Sequence, residues 1–334
     1  MTPEQWLPIV FIAILGVAVL FYAILDGFDL GVGILLPLDA DQVTRRDVMI
    51  SSIGPFWDAN ETWLVLIVGV LFIAFPTAHS MILQALYIPT LLLLIGLILR
   101  GVAFDFRAKA IVTHKLAWDR AFKTGSILAT TALGYMLGMY VMGFDSSVPA
   151  YSFAVMSALG VSAAFTYIGA AWLVLKTEGE LQQWAAQWGR LAGWLTGTGI
   201  LLVSVVNVSI DPSIFERWIG FPQSLLLLPI PLLSMTLLVW TDRYLAGVPH
   251  ENDAGAWKPI ACVAGIFVLA FMGLAYSYFP YVVPNRLTAW DAASSTEPLI
   301  FILVGIIIVL PAILGYTIFS YRVFRGKATE LRYY

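Results

Sequence analysis

The chain has 334 residues, of which 60% are hydrophobic and only 12% charged, and its mean hydropathy is +0.86. Soluble domains carry about 25% charged residues, so this composition excludes an ordinary water-soluble fold, and a net charge of -3 leaves no basic surface for nucleic acid. The single cysteine, Cys262, excludes an internal disulfide and a thiolate metal cluster.

In chain order, long apolar runs dominate. A bilayer core needs about 20 apolar residues per helix, and backbone groups in lipid must be satisfied within the segment, so runs of this length are helices. Nine spans are predicted, near residues 8–36, 54–78, 79–106, 120–144, 150–176, 190–210, 218–241, 259–285 and 298–321. Together they make an all-α integral membrane protein with one polytopic domain over 1–334. The second run is long enough only if its helix begins near Gly54 and Pro55. Met1 to Leu7 contain no Lys or Arg, so the positive flank of a secretory signal is missing and the first run is expected to remain as a span.

The connections separate charge. Those at 39–52, 101–123, 176–190 and 242–258, with the tail after Tyr321, hold 15 of the 18 Lys and Arg. The positive-inside rule then puts these connections in the cytoplasm, the N-terminus outside and the C-terminus inside, which requires an odd number of spans. Trp172, Trp218, Trp240 and Trp257 fall at predicted span ends, where an aromatic belt anchors a membrane protein.

Charges that remain in or beside the spans cost about 2.5–3.5 kcal/mol on insertion scales and mark candidate sites. They gather in three stretches on the predicted cytoplasmic side. The first span ends with Asp26-Gly27-Phe28-Asp29. The second begins Gly54-Pro55-Phe56-Trp57-Asp58-Ala59-Asn60-Glu61-Thr62-Trp63, and the third leaves the membrane through Arg100 and Asp105-Phe106-Arg107-Ala108-Lys109. Asp26 and Asp29 are three apart, as are Asp58 and Glu61, and Asp105 precedes Lys109 by four, so each pair shares a helical face. Carboxyl groups held together in a partly dry site suit a proton relay. Helix caps and snorkelling arginines account for Asp58, Glu61, Arg100 and Arg107 taken singly, so a structural reading stands beside the functional one. Gly27-x-x-x-Gly31 fits a close helix contact.

Haem iron in a bundle takes His, Met or Cys donors. His79, His114 and His250 all fall in connections or at span ends, the nine methionines are scattered, and no metal site is expected in this chain. A phosphate-binding loop, a nucleophile elbow and a dinucleotide loop are also missing from the sequence.

At the same stretches the sequence resembles subunit II of the cytochrome bd-type quinol oxidases, including their cyanide-insensitive branch. Tyr22-Ala23-Ile24-Leu25-Asp26-Gly27-Phe28-Asp29-Leu30-Gly31, then Gly54 through Trp63, then Ala85-Leu86-Tyr87-Ile88-Pro89 and Arg100-Gly101-Val102-Ala103-Phe104-Asp105-Phe106-Arg107 carry the likeness. These motifs cover the first third of the chain, and the rest is similar in hydropathy alone. The resemblance implies two four-helix bundles plus one peripheral helix, set against a haem-bearing subunit I in a bacterial inner membrane. Subunit I would hold two b-type haems and one d-type haem or a b-type substitute, and this chain none. The complex would oxidise quinol and reduce oxygen to water. Cytoplasmic protons would enter through Asp119, Lys109, Asp105 and Asp58, with Asp26, Asp29 and Glu61 as an acidic cluster, Arg100 and Arg107 as charge partners, and Trp57, Asn60 and Trp63 at the motif and interface. Small single-helix accessory subunits and a bound quinone also belong to this picture. A secondary transporter is the rival class, but it would place ionisable groups near the midplane and show repeats. A plain scaffold is the third reading, at odds only with the cost of the acid cluster.

Overall fold

In a computed structural model the chain is described over residues 2–39, 41–110, 112–210 and 212–328. The first helix, α1 (Pro3–Leu35), starts with a proline in its first turn, where the missing N–H costs nothing. A short helix α2 (Val43–Ile53) follows, and Gly54-Pro55 separates it from α3 (Trp57–Ala74). Pro76 holds Phe75 out of helical geometry, at φ -134° and ψ 60°, so α4 (Pro76–Ala85) begins a new direction. Leu86 breaks the chain again before α5 (Tyr87–Lys109), whose Pro89 sits in the first turn.

Helices α6 (Val112–Val141) and α7 (Val148–Lys176) are long, and the Ser147 hydroxyl accepts the Ala150 N–H at 3.4 Å to cap α7. Helix α8 (Gly179–Ile210) leads to two short pieces, α9 (Pro212–Ile219) and α10 (Gln223–Leu227). Helix α11 (Pro229–Ala246) then pairs with α12 (Lys258–Tyr278). Strands β1 (Tyr281–Val283) and β2 (Leu287–Thr288) form a small antiparallel hairpin. The one-turn α13 (Ala289–Ala292) precedes the last helix, α14 (Thr296–Val323).

Among the described residues seven helices are long and apolar enough to cross a membrane: α1, α3, α5, α7, α8, α12 and α14. Helices α6 and α11 also fall on predicted spans, but they are less apolar and are not among the seven. The structure differs from the sequence expectation in its breaks. The run at 79–106 is divided at Leu86, and the run at 218–241 is divided among α9, α10 and α11, where Pro222, Pro229 and Pro231 interrupt the helical ladder. The run at 259–285 ends as helix at Tyr278 and turns into the hairpin, with Asn285 in the left-handed region at φ 57°.

Helix α7 lies at the centre, packed on α1, α6, α8 and α12. Its crossing with α1 is backbone to backbone. A methyl at Gly31 would overlap the Phe165 carbonyl, and one at Gly169 would sit 2.5 Å from the Gly31 carbonyl carbon. Glycine is required at both positions, and the crossing fixes the last turns of α1, where Asp26 and Asp29 lie. Gly125 of α6 does the same for α5, since a methyl there would come within 2.9 Å of the Arg100 nitrogen.

Helix α14 leans on α3 and α1 and is fastened at both ends. At one end the Ser294 hydroxyl donates to the Ile73 carbonyl at 2.6 Å, and Trp290 Nε1 donates to the Gln5 carbonyl at 3.0 Å. At the other end the chain folds back over the turn between α7 and α8. Lys176 Nζ donates to the carbonyls of Phe324 and, at 3.0 Å, of Gly326. The Ala328 N–H returns to the Lys176 carbonyl at 2.8 Å, and Lys327 pairs with Asp253.

Candidate functional site

The buried face of α5 repeats every three to four residues through Leu93, Gly96, Leu97, Arg100, Ala103 and Arg107. Two of those positions are arginines, so one amphipathic helix delivers two cations to the interior, about two turns apart. Each meets its own set of acids.

Arg100 reaches between α1 and α3. Its Nη1 lies 2.9 Å from Asp26 Oδ1 and 2.7 Å from Glu61 Oε1, and its Nη2 lies 3.8 Å from Asp29 Oδ2. Asp29 is held instead by Asn60, whose Nδ2 donates to Asp29 Oδ2 at 2.7 Å and to the Leu25 carbonyl at 3.2 Å. Asp26, Asp29, Asn60 and Arg100 are all fully buried. Glu61 alone reaches outward, with its side chain 27% exposed. One guanidinium faces three carboxyl groups, so proton occupancy is a variable in the electrostatics of this site. Trp63, fully buried and stacked 4.6 Å from Phe21, walls the network on the side of α3.

Arg107 enters a second cluster. Asp119 of α6 is gripped from two sides, by Arg107 Nε and by Arg46 Nε of α2, the latter at 2.8 Å. Arg107 Nη2 also reaches Asp47 Oδ1 at 2.7 Å, and Lys115 lies 3.9 Å from the other oxygen of Asp47. Three helices are tied together by these pairs. Desolvating so many charges is costly unless each is matched, and here the acids and bases alternate in space.

The remaining candidates face outward. Asp58, Asp105 and Lys109 are exposed on this chain, on the faces of α3 and α5 that also show Val65, Val68, Ile98, Val102 and Phe106. Trp57 packs on Phe104 at 5.0 Å, which brings the start of α3 to the end of α5. Asp105 and Lys109 make no ion pair with each other among the described residues. Lys109 borders a shallow depression of about 480 Å³ with Phe106, His114 and Trp118. His79 stacks edge-on to Phe72 at 5.1 Å, and His250 packs 4.3 Å from Tyr244.

The structure therefore brings Asp26, Asp29, Asn60, Glu61 and Arg100 into one network, and Arg107 and Asp119 into another. Asp58, Asp105 and Lys109 stand apart on the surface. Sequence reasoning missed Arg46 and Asp47, whose only signal is a pair of opposite charges in a short segment with apolar spacing. It also missed Tyr321, whose hydroxyl donates to Asn60 Oδ1 at 3.3 Å.

Known proteins share both sequence and fold with this chain. A cytochrome bd-I ubiquinol oxidase subunit 2 of Escherichia coli (strain K12) is 28% identical over 363 residues, covering 95% of this chain and 94% of that protein. The cytochrome bd ubiquinol oxidase subunit 2 of Bacillus subtilis (strain 168) is 28% identical over 335 residues, covering 94% and 95%. A chain from the structure of bd oxidase from Geobacillus thermodenitrificans matches with a TM-score of 0.78 over 96% of this chain and 99% of that chain; at 18% identity, this is a likeness of fold. The family profile of cytochrome bd terminal oxidase subunit II matches residues 7–324, nearly the whole chain, and the chain belongs to that family.

Proposed function

We propose that this chain is the haem-free subunit II of a cytochrome bd-type terminal quinol oxidase, paired in a bacterial inner membrane with a haem-bearing subunit I. The complex oxidises quinol, reduces oxygen to water and draws protons from the cytoplasm. Two b-type haems and a d-type haem, or a b-type substitute, belong to subunit I. Family membership over residues 7–324 supports this reading.

Nine spans fit this role: α1, α3, α5 and α6 in one bundle, α7, α8, α11 and α12 in a second, and α14 at the periphery. The pairing of α5 with α6, α7 with α8 and α11 with α12, and the attachment of α14 to α3 and α1, support the grouping. The N-terminus lies outside and the C-terminus in the cytoplasm, as the 15 of 18 Lys and Arg on one set of connections favour.

The chain then carries protons toward subunit I through Asp119, Lys109, Asp105 and Asp58. The observation that carries this reading is Glu61, the one member of the buried network with a partly exposed side chain. It stands one turn from exposed Asp58, on the helix end that Trp57 presses against Phe104 of α5. An outward row of ionisable groups thus borders an inward one. Asp119, held by two guanidinium groups, favours a second reading at that position, a brace that pins α2.

Asp58→Asn tests the route, because it keeps size and most hydrogen bonding while removing the titratable proton. A relay gives a complex with normal haem content, slower turnover and a smaller membrane potential. Loss of haem in proportion to activity would identify a scaffold instead. An assembled variant with unaltered turnover and potential would move proton entry elsewhere.

A further inference from the structure

We infer that Tyr321, on the peripheral helix α14, is a positioning residue for the buried charge network and acts through the side-chain amide of Asn60. The inference rests on the proton-route reading above.

The amide of Asn60 can sit in either of two orientations, and its neighbours decide which. On one side are two acceptors, Asp29 Oδ2 at 2.7 Å and the Leu25 carbonyl at 3.2 Å. Both require the NH2 group. On the other side is one donor, the Tyr321 hydroxyl, 3.3 Å from Oδ1. Tyr321 completes the set that holds the amide one way round. Without the hydroxyl, Oδ1 would be a buried acceptor with no donor, and a flipped amide would turn that oxygen against the Asp29 carboxyl.

Asp29 is the acid for which this matters. Asp26 and Glu61 lie 2.9 and 2.7 Å from Arg100, within hydrogen-bond reach, whereas Asp29 stands at 3.8 Å. The guanidinium does not fix its position, so Asn60 does. The charged and titratable groups facing Asp29 are Asp26 and Tyr22 on α1, Glu61 on α3, Arg100 on α5 and Tyr321 on α14. Helices α6 and α7 turn Phe122, Ser126 and Phe165 toward this part of α1.

Tyr321 is itself well placed to act as a fixed reference. Its ring lies 4.5 Å from Phe56 and 6.0 Å from Trp172. Lys176 Nζ stands over both of those partner rings, at 5.3 and 5.1 Å, and binds the chain just beyond Tyr321 through the Phe324 and Gly326 carbonyls. The least buried of the seven long apolar helices thus places one hydroxyl at the edge of the most buried charges.

The test uses the purified two-subunit complex as wild type, Tyr321→Phe, Lys176→Met and Asp58→Asn. Tyr321→Phe keeps the ring stack and removes only the donor. The expected result is normal haem content and subunit ratio, turnover lowered by about two- to tenfold, the range of one net hydrogen bond, and a displaced pH profile of turnover. Lys176→Met, which deletes no group of the network, should displace the profile in the same direction. If Tyr321→Phe does not assemble, Lys176→Met decides alone: a displaced profile supports the inference and an unchanged one overturns it. If Asp58→Asn slows turnover while Tyr321→Phe matches the wild type in rate and profile, the inference fails and the proton route stands. Partial haem loss in Tyr321→Phe with an unchanged profile would leave a purely structural tyrosine and overturn it too. If Asp58→Asn and Tyr321→Phe both behave as wild type, the proton-route reading fails and takes this inference with it.

Discussion

Arg100 and Asp26 lie 74 residues apart in the chain and meet at 2.9 Å, with neither side chain exposed. A pair this deep is held by matching, since each ion alone would be far from water. The pair joins α1 to α5 across a bundle in which most other contacts are apolar.

Removing the cation should therefore be severe. Arg100→Ala would strand Asp26 and Asp29 in the interior at a cost of about 3–5 kcal/mol. The expected outcome is little or no complex recovered in detergent. Arg100→Lys keeps the charge but not the fork that reaches several acids at once, so it should assemble with a lowered Tm. Size-exclusion profiles and thermal melts of the two variants check this, and a wild-type melt for Arg100→Ala would refute it.

The second cluster predicts a local effect. Asp119→Asn leaves Arg46 and Arg107 without their shared carboxylate, and α2 should loosen from α5 and α6. A cysteine introduced at buried Met49 of α2 should become reactive to maleimide in the Asp119→Asn background and stay protected otherwise. Equal labelling in both backgrounds would show that the apolar face of α2 holds it unaided.

The glycine crossing of α1 and α7 makes a contrast within one residue type. Gly31→Ala drives a methyl into the Phe165 backbone, while Gly305→Ala of α14 meets nothing within 4 Å. Gly31→Ala should abolish or sharply reduce assembly. Gly305→Ala should be neutral, or slightly favourable by the roughly 1 kcal/mol that separates glycine from alanine in a helix. Comparable yields for the two variants would count against the close crossing.

The fold-back of the chain after α14 is open to proteolysis. Lys176→Met removes the donor to two carbonyls of that segment, so trypsin should cut at Arg325 faster in this variant than in the wild-type complex. A two- to tenfold change in cleavage rate is expected, about the range of one hydrogen bond in a local opening equilibrium. Identical rates would show that the Lys327–Asp253 pair is sufficient.

Orientation gives a final check. Reporter fusions at the two ends should report opposite sides of the membrane. Both ends in the cytoplasm would mean an even number of crossings.

The sequence made the charge network visible because charges stand out against an apolar background. It could not assign their partners. Residues three apart on a helix are about 60° apart around its axis, enough for Glu61 to turn in to Arg100 while Asp58 turns out. Asp105 and Lys109 have the spacing of a helical ion pair, but they lie on the exposed face of α5 and make no such pair among the described residues. The helix α2 was hidden inside a segment read as a cytoplasmic connection, since eleven residues of mixed polarity give little periodic signal. Its Arg46 and Asp47 became legible only once Asp119 and Arg107 were placed beside them. The breaks at Phe75 and Leu86 follow from Pro76 and Pro89, yet hydropathy sums over them and reports continuous runs.

Helix α14 has 28 residues, about 42 Å of helix, against a hydrocarbon core of about 30 Å. A free helix of that length would accommodate a thinner or thicker bilayer by tilting. This one is fastened at Ser294 and again at Lys176, so its freedom to tilt is limited. Mismatch with the surrounding lipid is then borne at its ends, and one of those ends is Tyr321. Bilayer thickness, set by acyl-chain length, becomes an input that reaches Asn60 without any ligand binding to the protein.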